Sequence, residues 1–158
     1  MNQRPQKQRA YSLRSSQEAG WVISFSPETW DKFTANGSLI GAFSLSRRAA
    51  AERIRVGDLL FSYISGLQCI SGVFKAESLC FQDDSISPYG NRSRFVLLIK
   101  LRPLADPGID KFIAIDSLAG KMQIFRGINR KNFYHAFRIS PRSIPSADRD
   151  FLLSQLIA

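Results

Sequence analysis

The sequence predicts an α+β domain, a small closed or nearly closed barrel of five or six short strands with short helices around it. Three observations carry this expectation. Short runs rich in β-branched, aromatic and aliphatic residues recur between turns marked by Gly, Pro and Asn. The helical stretches between them are short and begin on recognisable caps. The chain has 158 residues, one domain's worth, which is enough to bury a core without a metal or disulfide staple.

Residues 1–19 hold Arg4, Lys7, Arg9 and Arg14 against a single acid, Glu18, with little to bury. They are expected to form a flexible basic arm, with the folded domain over 20–158. Trp21–Phe25 reads as the first strand. Ser26-Pro27-Glu28 then supplies an N-cap, a proline for the first helical position and an acid for the first turn. Trp30 and Phe33 share a face of that helix, and Asn36-Gly37 ends it. After Gly41-Ala42-Phe43, Ser44 or Ser46 can cap a second helix running from Arg47 to Arg53. Val56-Gly57-Asp58 turns into a buried strand, Leu59–Ile64, and Gly66-Leu67-Gln68 closes a hairpin onto Cys69–Leu79.

Asp83–Arg92 is a loop by composition. Phe95–Leu101 is the strongest strand pattern, ended by Pro103 and Pro107-Gly108. Phe112, Ile115 and Leu118 have helical spacing, and Met122–Phe125 reads as a further strand. Asn129–Phe137 reads as a helix with Phe133 and Phe137 stacked at i, i+4. Pro145-Ser146 opens a final helix that is expected to bury Leu152, Leu153, Leu156 and Ile157.

Charge is the unusual bulk property. Twenty-two Lys and Arg face 13 acids for a net charge of +9, and Arg outnumbers Lys 15 to 7. The planar guanidinium pairs with phosphate at two points and stacks on flat rings, so the balance points to nucleic acid or another anionic partner. No apolar run reaches the roughly 20 residues that span a bilayer, and no apolar h-region follows the basic start, so a soluble cytoplasmic protein is expected. Cys69 and Cys80 are too few for a disulfide framework or a four-ligand zinc site and read as reduced thiols. His135, the one histidine, lies in a basic stretch with no acid nearby to orient it. No phosphate-cradling glycine motif is present. Neither catalysis, nor a metal, nor a cofactor is expected.

Two constellations remain. Between Asp116 and Asp148 the 31 intervening residues contain no acid. They hold Lys121, Arg126, Arg130, Lys131, Arg138 and Arg142, interleaved with Phe125, Phe133, Tyr134 and Phe137. Cations suit phosphates, and flat apolar walls suit an unstacked base. The second group lies around the strands: Ser24, Phe25 and Ser26, then Phe43 and Ser44, then Tyr63, Ser65 and Gly66. A base pocket needs a ring to stack on and a few donors and acceptors for the base edge. By the strand period of two, Phe61, Tyr63 and Ser65 share one face.

The order of these landmarks resembles the EVE domain family of the PUA-like superfamily, which also includes YTH and ASCH domains. The resemblance runs from about Trp21 to Leu156. It rests on the Trp-Val-Ile strand, the Ser-Pro-Glu-Thr-Trp helix start, the Gly41-Ala42-Phe43 corner, Val56-Gly57-Asp58-Leu59-Leu60-Phe61-Ser62-Tyr63-Ile64-Ser65 and Ile70-Ser71-Gly72-Val73-Phe74. It implies a PUA-like mixed β-barrel and a non-catalytic role: recognition of a modified base flipped into an aromatic pocket. Ser24, Phe25, Ser26, Phe43, Ser44, Tyr63, Ser65 and Phe133 are the expected pocket residues. Lys121, Arg126, Arg130, Lys131 and Arg138 are the expected phosphate contacts. The implied partner is modified DNA in a bacterial modification-dependent restriction setting, with a fused or separate nuclease. An RNA-binding PUA-like module, and a nucleotide or nucleoside sensor using the same pocket, are the alternatives.

Overall fold

The computed structural model describes residues 18–90, 94–104 and 111–157. Most of the expected arm, and Pro107-Gly108, lie outside these residues. Glu18 and Ala19, assigned to the arm from sequence, are bonded into the domain: the Leu59 N–H donates to the Ala19 carbonyl at 2.9 Å and Lys75 pairs with Glu18 at 3.3 Å.

The strands are β1 (Gly20–Phe25), β2 (Ile40–Phe43), β3 (Leu59–Ile64), β4 (Cys69–Ala76), β5 (Phe81–Gln82), β6 (Leu97–Pro103), β7 (Ile113–Ala114) and β8 (Arg142–Ile144). The α-helices are α1 (Pro27–Ala35), α2 (Arg48–Ala51) and α3 (Ser146–Ile157), and 3-10 segments cover Leu45–Arg47, Ile115–Leu118, Gln123–Phe125 and Arg130–Phe137. The sheet runs β2-β6-β4-β3-β1-β8, with β5 on β6 and β7 on β4. It is mixed, because β1 pairs with β3 in parallel while the other pairs are antiparallel. The result is an α+β fold with a PUA-like, curled half-barrel. It has eight strands among the described residues rather than five or six. The extra ones, β5 and β7, are two-residue ladders, too short to show a period in sequence.

Side-chain alternation explains the two cores. Trp21, Ile23 and Phe25 of β1 join Leu60 and Ile64 of β3 on one face, which α1 covers with Trp30 and Phe33. Val22, Phe61 and Tyr63 face the other way and pack with Phe125, Phe133 and Phe137. The β3–β4 register slips between Phe61↔Val73 and Tyr63↔Ile70, so Ser71 and Gly72 stand opposite the single residue Ser62. Gly72 sits at φ +80°, a conformation natural only to glycine, and this bulge increases the local twist that curls the sheet.

Local chemistry sets the element ends. The Ser26 hydroxyl accepts from Thr29 N–H at 3.1 Å, and Thr29 Oγ1 accepts from Ser26 N–H at 2.9 Å, a reciprocal cap on α1. The buried Asp58 carboxylate gathers the Ala19 and Arg55 N–H groups and the Trp21 indole N–H at the entrance to β3. Asp148, also buried, accepts from Gln123 N–H at 2.7 Å and Ile124 N–H at 2.9 Å.

Asp148 also explains one departure from expectation. Met122–Phe125 is not a strand, because these two amides are taken by a side chain rather than by a ladder, and Gln123–Phe125 winds as a 3-10 turn. Over Ile113–Leu118, the first two residues pair with β4 and only Ile115–Leu118 turns, leaving Phe112 exposed. Arg130–Phe137 is 3-10 rather than α. At three residues per turn, positions i and i+4 no longer align. Phe133 therefore stacks on Phe125, with centroids 4.3 Å apart, and Phe137 meets Tyr63 at 5.2 Å. In α3, Leu152 and Leu156 are buried, Leu153 is half-buried and Ile157 is exposed.

Candidate functional site

The parallel register sets Ser24 of β1 beside Tyr63 of β3 on the same face. The 3-10 segment Arg130–Phe137 and the residues after it close over that point. The Ser24 hydroxyl donates to the Phe137 carbonyl at 2.5 Å, and the Ser24 N–H donates to Ser140 Oγ at 3.0 Å. From the other side, Arg47 Nε donates to the Ser140 carbonyl at 3.2 Å, with Nη2 3.5 Å from the Pro141 carbonyl. Residues more than 90 positions apart in sequence are thereby held in one wall.

Two adjoining cavities open here and share Ser24 and Arg138. One, of about 260 Å³, is lined by Phe43, Ser44, Arg47, Phe95 and Ile139 besides the shared pair. The other, of about 330 Å³, is lined by Ser26, Tyr63, Ser65, Gln68, Tyr134 and Phe137 besides that pair. Together they form a cleft lined by aromatic rings, hydroxyl groups and two guanidinium groups, and among the described residues no acidic side chain lines either part. Burial first, then the neighbouring Cys69 and Tyr134, push the Tyr63 phenol above its ordinary value. Its hydroxyl stays protonated at neutral pH and can donate as well as accept. Tyr134 stands exposed on the rim with its ring centroid 4.0 Å from that of His135. Arg138 Nη1 lies 3.4 Å from His135 Nδ1. A flat heteroaromatic group, its face against rings and its edge against hydroxyls, matches this chemistry.

The cleft brings together Ser24, Ser26, Phe43, Ser44, Tyr63 and Ser65 of the expected pocket residues. Three of their hydroxyls already have partners, Ser24 on the Phe137 carbonyl, Ser26 on Thr29 and Ser44 on Ser46 at 2.9 Å. Phe25 borders the cleft only through its place in β1. Its ring points to the opposite face and packs on Phe33, Trp30 and Tyr89, as strand alternation dictates. Phe133 is placed elsewhere: buried against Phe125, it lines a separate cavity of about 420 Å³ together with Lys121 and Arg126. Arg138, expected on a phosphate, stands in the cleft itself. Arg130 and Lys131 are exposed at the start of the 3-10 segment.

The ion pairs among the described residues use Lys32, Arg48, Lys75, Arg102 and Arg149, and none uses Lys121, Arg126, Arg130, Lys131 or Arg138. Sequence reasoning missed Arg47, Phe95, Gln68 and the Ile139-Ser140 segment. The only signal for them was the Arg138-Ile139-Ser140-Pro141 turn after an aromatic-rich stretch. Among the described residues, no group of three or more His, Cys, Asp or Glu could hold a metal ion, and no helix is long and apolar enough to cross a membrane.

No protein-family model matches the chain, and no curated protein matches it. Solved structures do. The Pho92 YTH domain, in complex with m6A, superposes with a TM-score of 0.63 at 16% identity, over 89% of this chain and 84% of its own. The YTH domain of Zygosaccharomyces rouxii MRB1, in complex with N6-methyladenosine RNA, gives 0.60 at 19% identity, over 87% and 86%. Human THYN1, in complex with DNA containing 5-methylcytosine, gives 0.55 at 18% identity, over 87% and 96%. Likeness at these identities speaks for the fold, and the mixed half-barrel closed by short helices is the PUA-like fold that these YTH and THYN1 domains share with this chain.

Proposed function

We propose that this chain is a non-catalytic reader of nucleic acid that accepts a modified base, flipped out of its stack, in the cleft shared by Ser24 and Arg138. The observation that carries the reading is the cleft itself. The exposed Tyr134 and half-buried Phe95 offer ring surface above a floor of buried Phe43, Tyr63 and Phe137, and Ser65, the neutral Tyr63 hydroxyl and the Ser24 oxygen as acceptor supply the edge contacts. Arg138 in the cleft and the exposed Arg130 and Lys131, which form no ion pair among the described residues, supply phosphate contacts. Folds of the same class have been solved with N6-methyladenosine RNA and with 5-methylcytosine DNA, which supports a modified base as the common ligand. Modified DNA in a modification-dependent restriction system, with a nuclease partner and a cytoplasmic location, completes the proposal and rests on the family resemblance.

The test is a binding panel of single- and double-stranded DNA and RNA, plain and carrying 5-methylcytosine or N6-methyladenosine, at two salt concentrations. The expected result is a preference for one modified strand, lost in Ser65→Trp, which fills the cleft mouth from an exposed position. Arg130→Ala should weaken all strands alike and reduce the salt slope by about 0.7–0.9 per lost phosphate contact. Equal binding of modified and plain strands by the wild type, or a preference that survives Ser65→Trp, would overturn the reading.

A further inference from the structure

The residues expected to contact nucleic acid fall into two groups in space. One lines the cleft. The other, Lys121, Arg126 and Phe133, lines the cavity of about 420 Å³ whose lining runs from Gly120 to Asp148 in sequence and includes Ala147. The volume is within the range of small-ligand sites. Its lining combines Met122, Phe125, Ile128 and Phe133 with two cations and one acid, Asp148, whose carboxylate oxygens are already engaged by the Gln123 and Ile124 amides. The cavity is also built rather than incidental. Asp148 holds the Gln123 and Ile124 amides, the stacked Phe125 and Phe133 rings form part of the lining, and Ala147 in that lining is exposed. Lys121 and Arg126 are exposed and have no carboxylate partner among the described residues.

The position of this cavity relative to the cleft gives it meaning. Phe133 belongs to the same 3-10 segment as Tyr134 and Phe137, which line the cleft. At about 2 Å of rise per residue, the whole segment is about 16 Å long, a span that a few nucleotides of single strand can cover. Arg130 and Lys131 stand exposed at its start.

We infer that the Gly120–Ala147 cavity is a second nucleotide seat, taking a flanking residue of the same single strand whose modified base occupies the cleft. Lys121 and Arg126 pair with its phosphate, and its base or sugar lies on Met122, Ile128 and the edges of the phenylalanine stack. The chemical class is a nucleotide in a single strand, and the protein becomes a two-point reader whose affinity depends on strand length. The inference rests on the cleft's proposed role, but its test separates the two.

Fluorescent single strands carrying the preferred modified base and zero to four flanking thymidines, on the 5′ or the 3′ side, are titrated against the full chain. Affinity should rise about tenfold at one defined length on one side, the scale of one stacked and phosphate-paired nucleotide. That step should vanish in Ala147→Leu, which adds volume to the cavity lining with a good helix former, and in Arg126→Ala, while preference for the modified base is retained. Conversely, Ser65→Trp should abolish the preference and keep a length step on plain strands. A smooth rise with length in the wild type, or a step that persists in both Ala147→Leu and Arg126→Ala, overturns the second seat. A length step without any preference for a modified base instead overturns the cleft assignment and leaves the second seat standing.

Discussion

Replacing Asp58 with alanine tests the turn from which β3, and with it the cleft, is suspended. The carboxylate is only 4% exposed and accepts three hydrogen bonds: from Ala19 N–H at 3.0 Å, Trp21 Nε1–H at 3.0 Å and Arg55 N–H at 2.9 Å. Bonds to a charged partner contribute about 1.5–3 kcal/mol each, and neutral ones about 1. The Ala19 and Arg55 amides lie near the surface and recover water contacts, whereas the Trp21 indole is buried and does not. The expected loss for Asp58→Ala is therefore about 3–4 kcal/mol. At about 2–4 °C per kcal/mol for a chain of this size, melting falls by about 10 °C. Asp58→Asn can keep its carbonyl on Trp21 and Arg55 and present its NH2 to the Ala19 N–H, donor against donor, for a loss of about 1–2 kcal/mol. Urea unfolding followed by tryptophan fluorescence reads both, and Trp21→Phe completes a double-mutant cycle with a coupling of about 1–2 kcal/mol. Equal destabilisation by Ala and Asn, or an Ala variant within about 1 kcal/mol of wild type, would refute the claim that this carboxylate organises the turn.

Ser62 Oγ is fully buried and has no hydrogen-bond partner among the described residues, so Ser62→Ala should be neutral or stabilising by up to about 1 kcal/mol in urea unfolding; a clear destabilisation would show that the hydroxyl is satisfied in solution. Phe133→Ala should cost about 3–5 kcal/mol of stability, because the ring is stacked in the second core, and Phe133→Leu should keep the fold and the cleft's base preference in the strand-binding panel. Burial and then Glu52 push the Cys80 thiol up, against a lowering by Arg48. Less thiolate is present near pH 8, so alkylation should run slower than for a free thiol, and Glu52→Gln should speed it, as read by iodoacetamide labelling and mass spectrometry. An unchanged labelling rate in Glu52→Gln would remove the electrostatic contribution.

Local signals carried the first half of the chain well. The cap, the proline and the closing Asn36-Gly37 define α1 because each acts within one helical turn, and the alternation in β3 sorts Phe61 and Tyr63 from Leu60 and Ile64 without outside help. Where the deciding contact is distant, the sequence pattern misleads. Met122–Phe125 reads as a strand because the carboxylate that takes its amides lies 24 and 25 positions away. The Phe133–Phe137 pair depended on an α period that the 3-10 segment does not have. The candidate site was half legible. Residue types suited to a base pocket stood out, but their convergence follows from the parallel β1–β3 pairing, which no local pattern encodes. Phe133 looked interchangeable with Tyr63 in sequence, and only tertiary packing sends the two rings to different cavities.

The hydrogen bonds from Ser24 to Ser140 and Phe137 reach across 116 and 113 positions of the chain. Closing a loop of that size costs about 4 kcal/mol of entropy before anything is gained, so these contacts form after the local elements are in place. A chain emerging from the ribosome has α1, β2 and β3 available long before Ser140 is made, yet it has no cleft. A chain that stops short of Ser140 therefore keeps β1 and β3 but lacks the wall that closes the cleft.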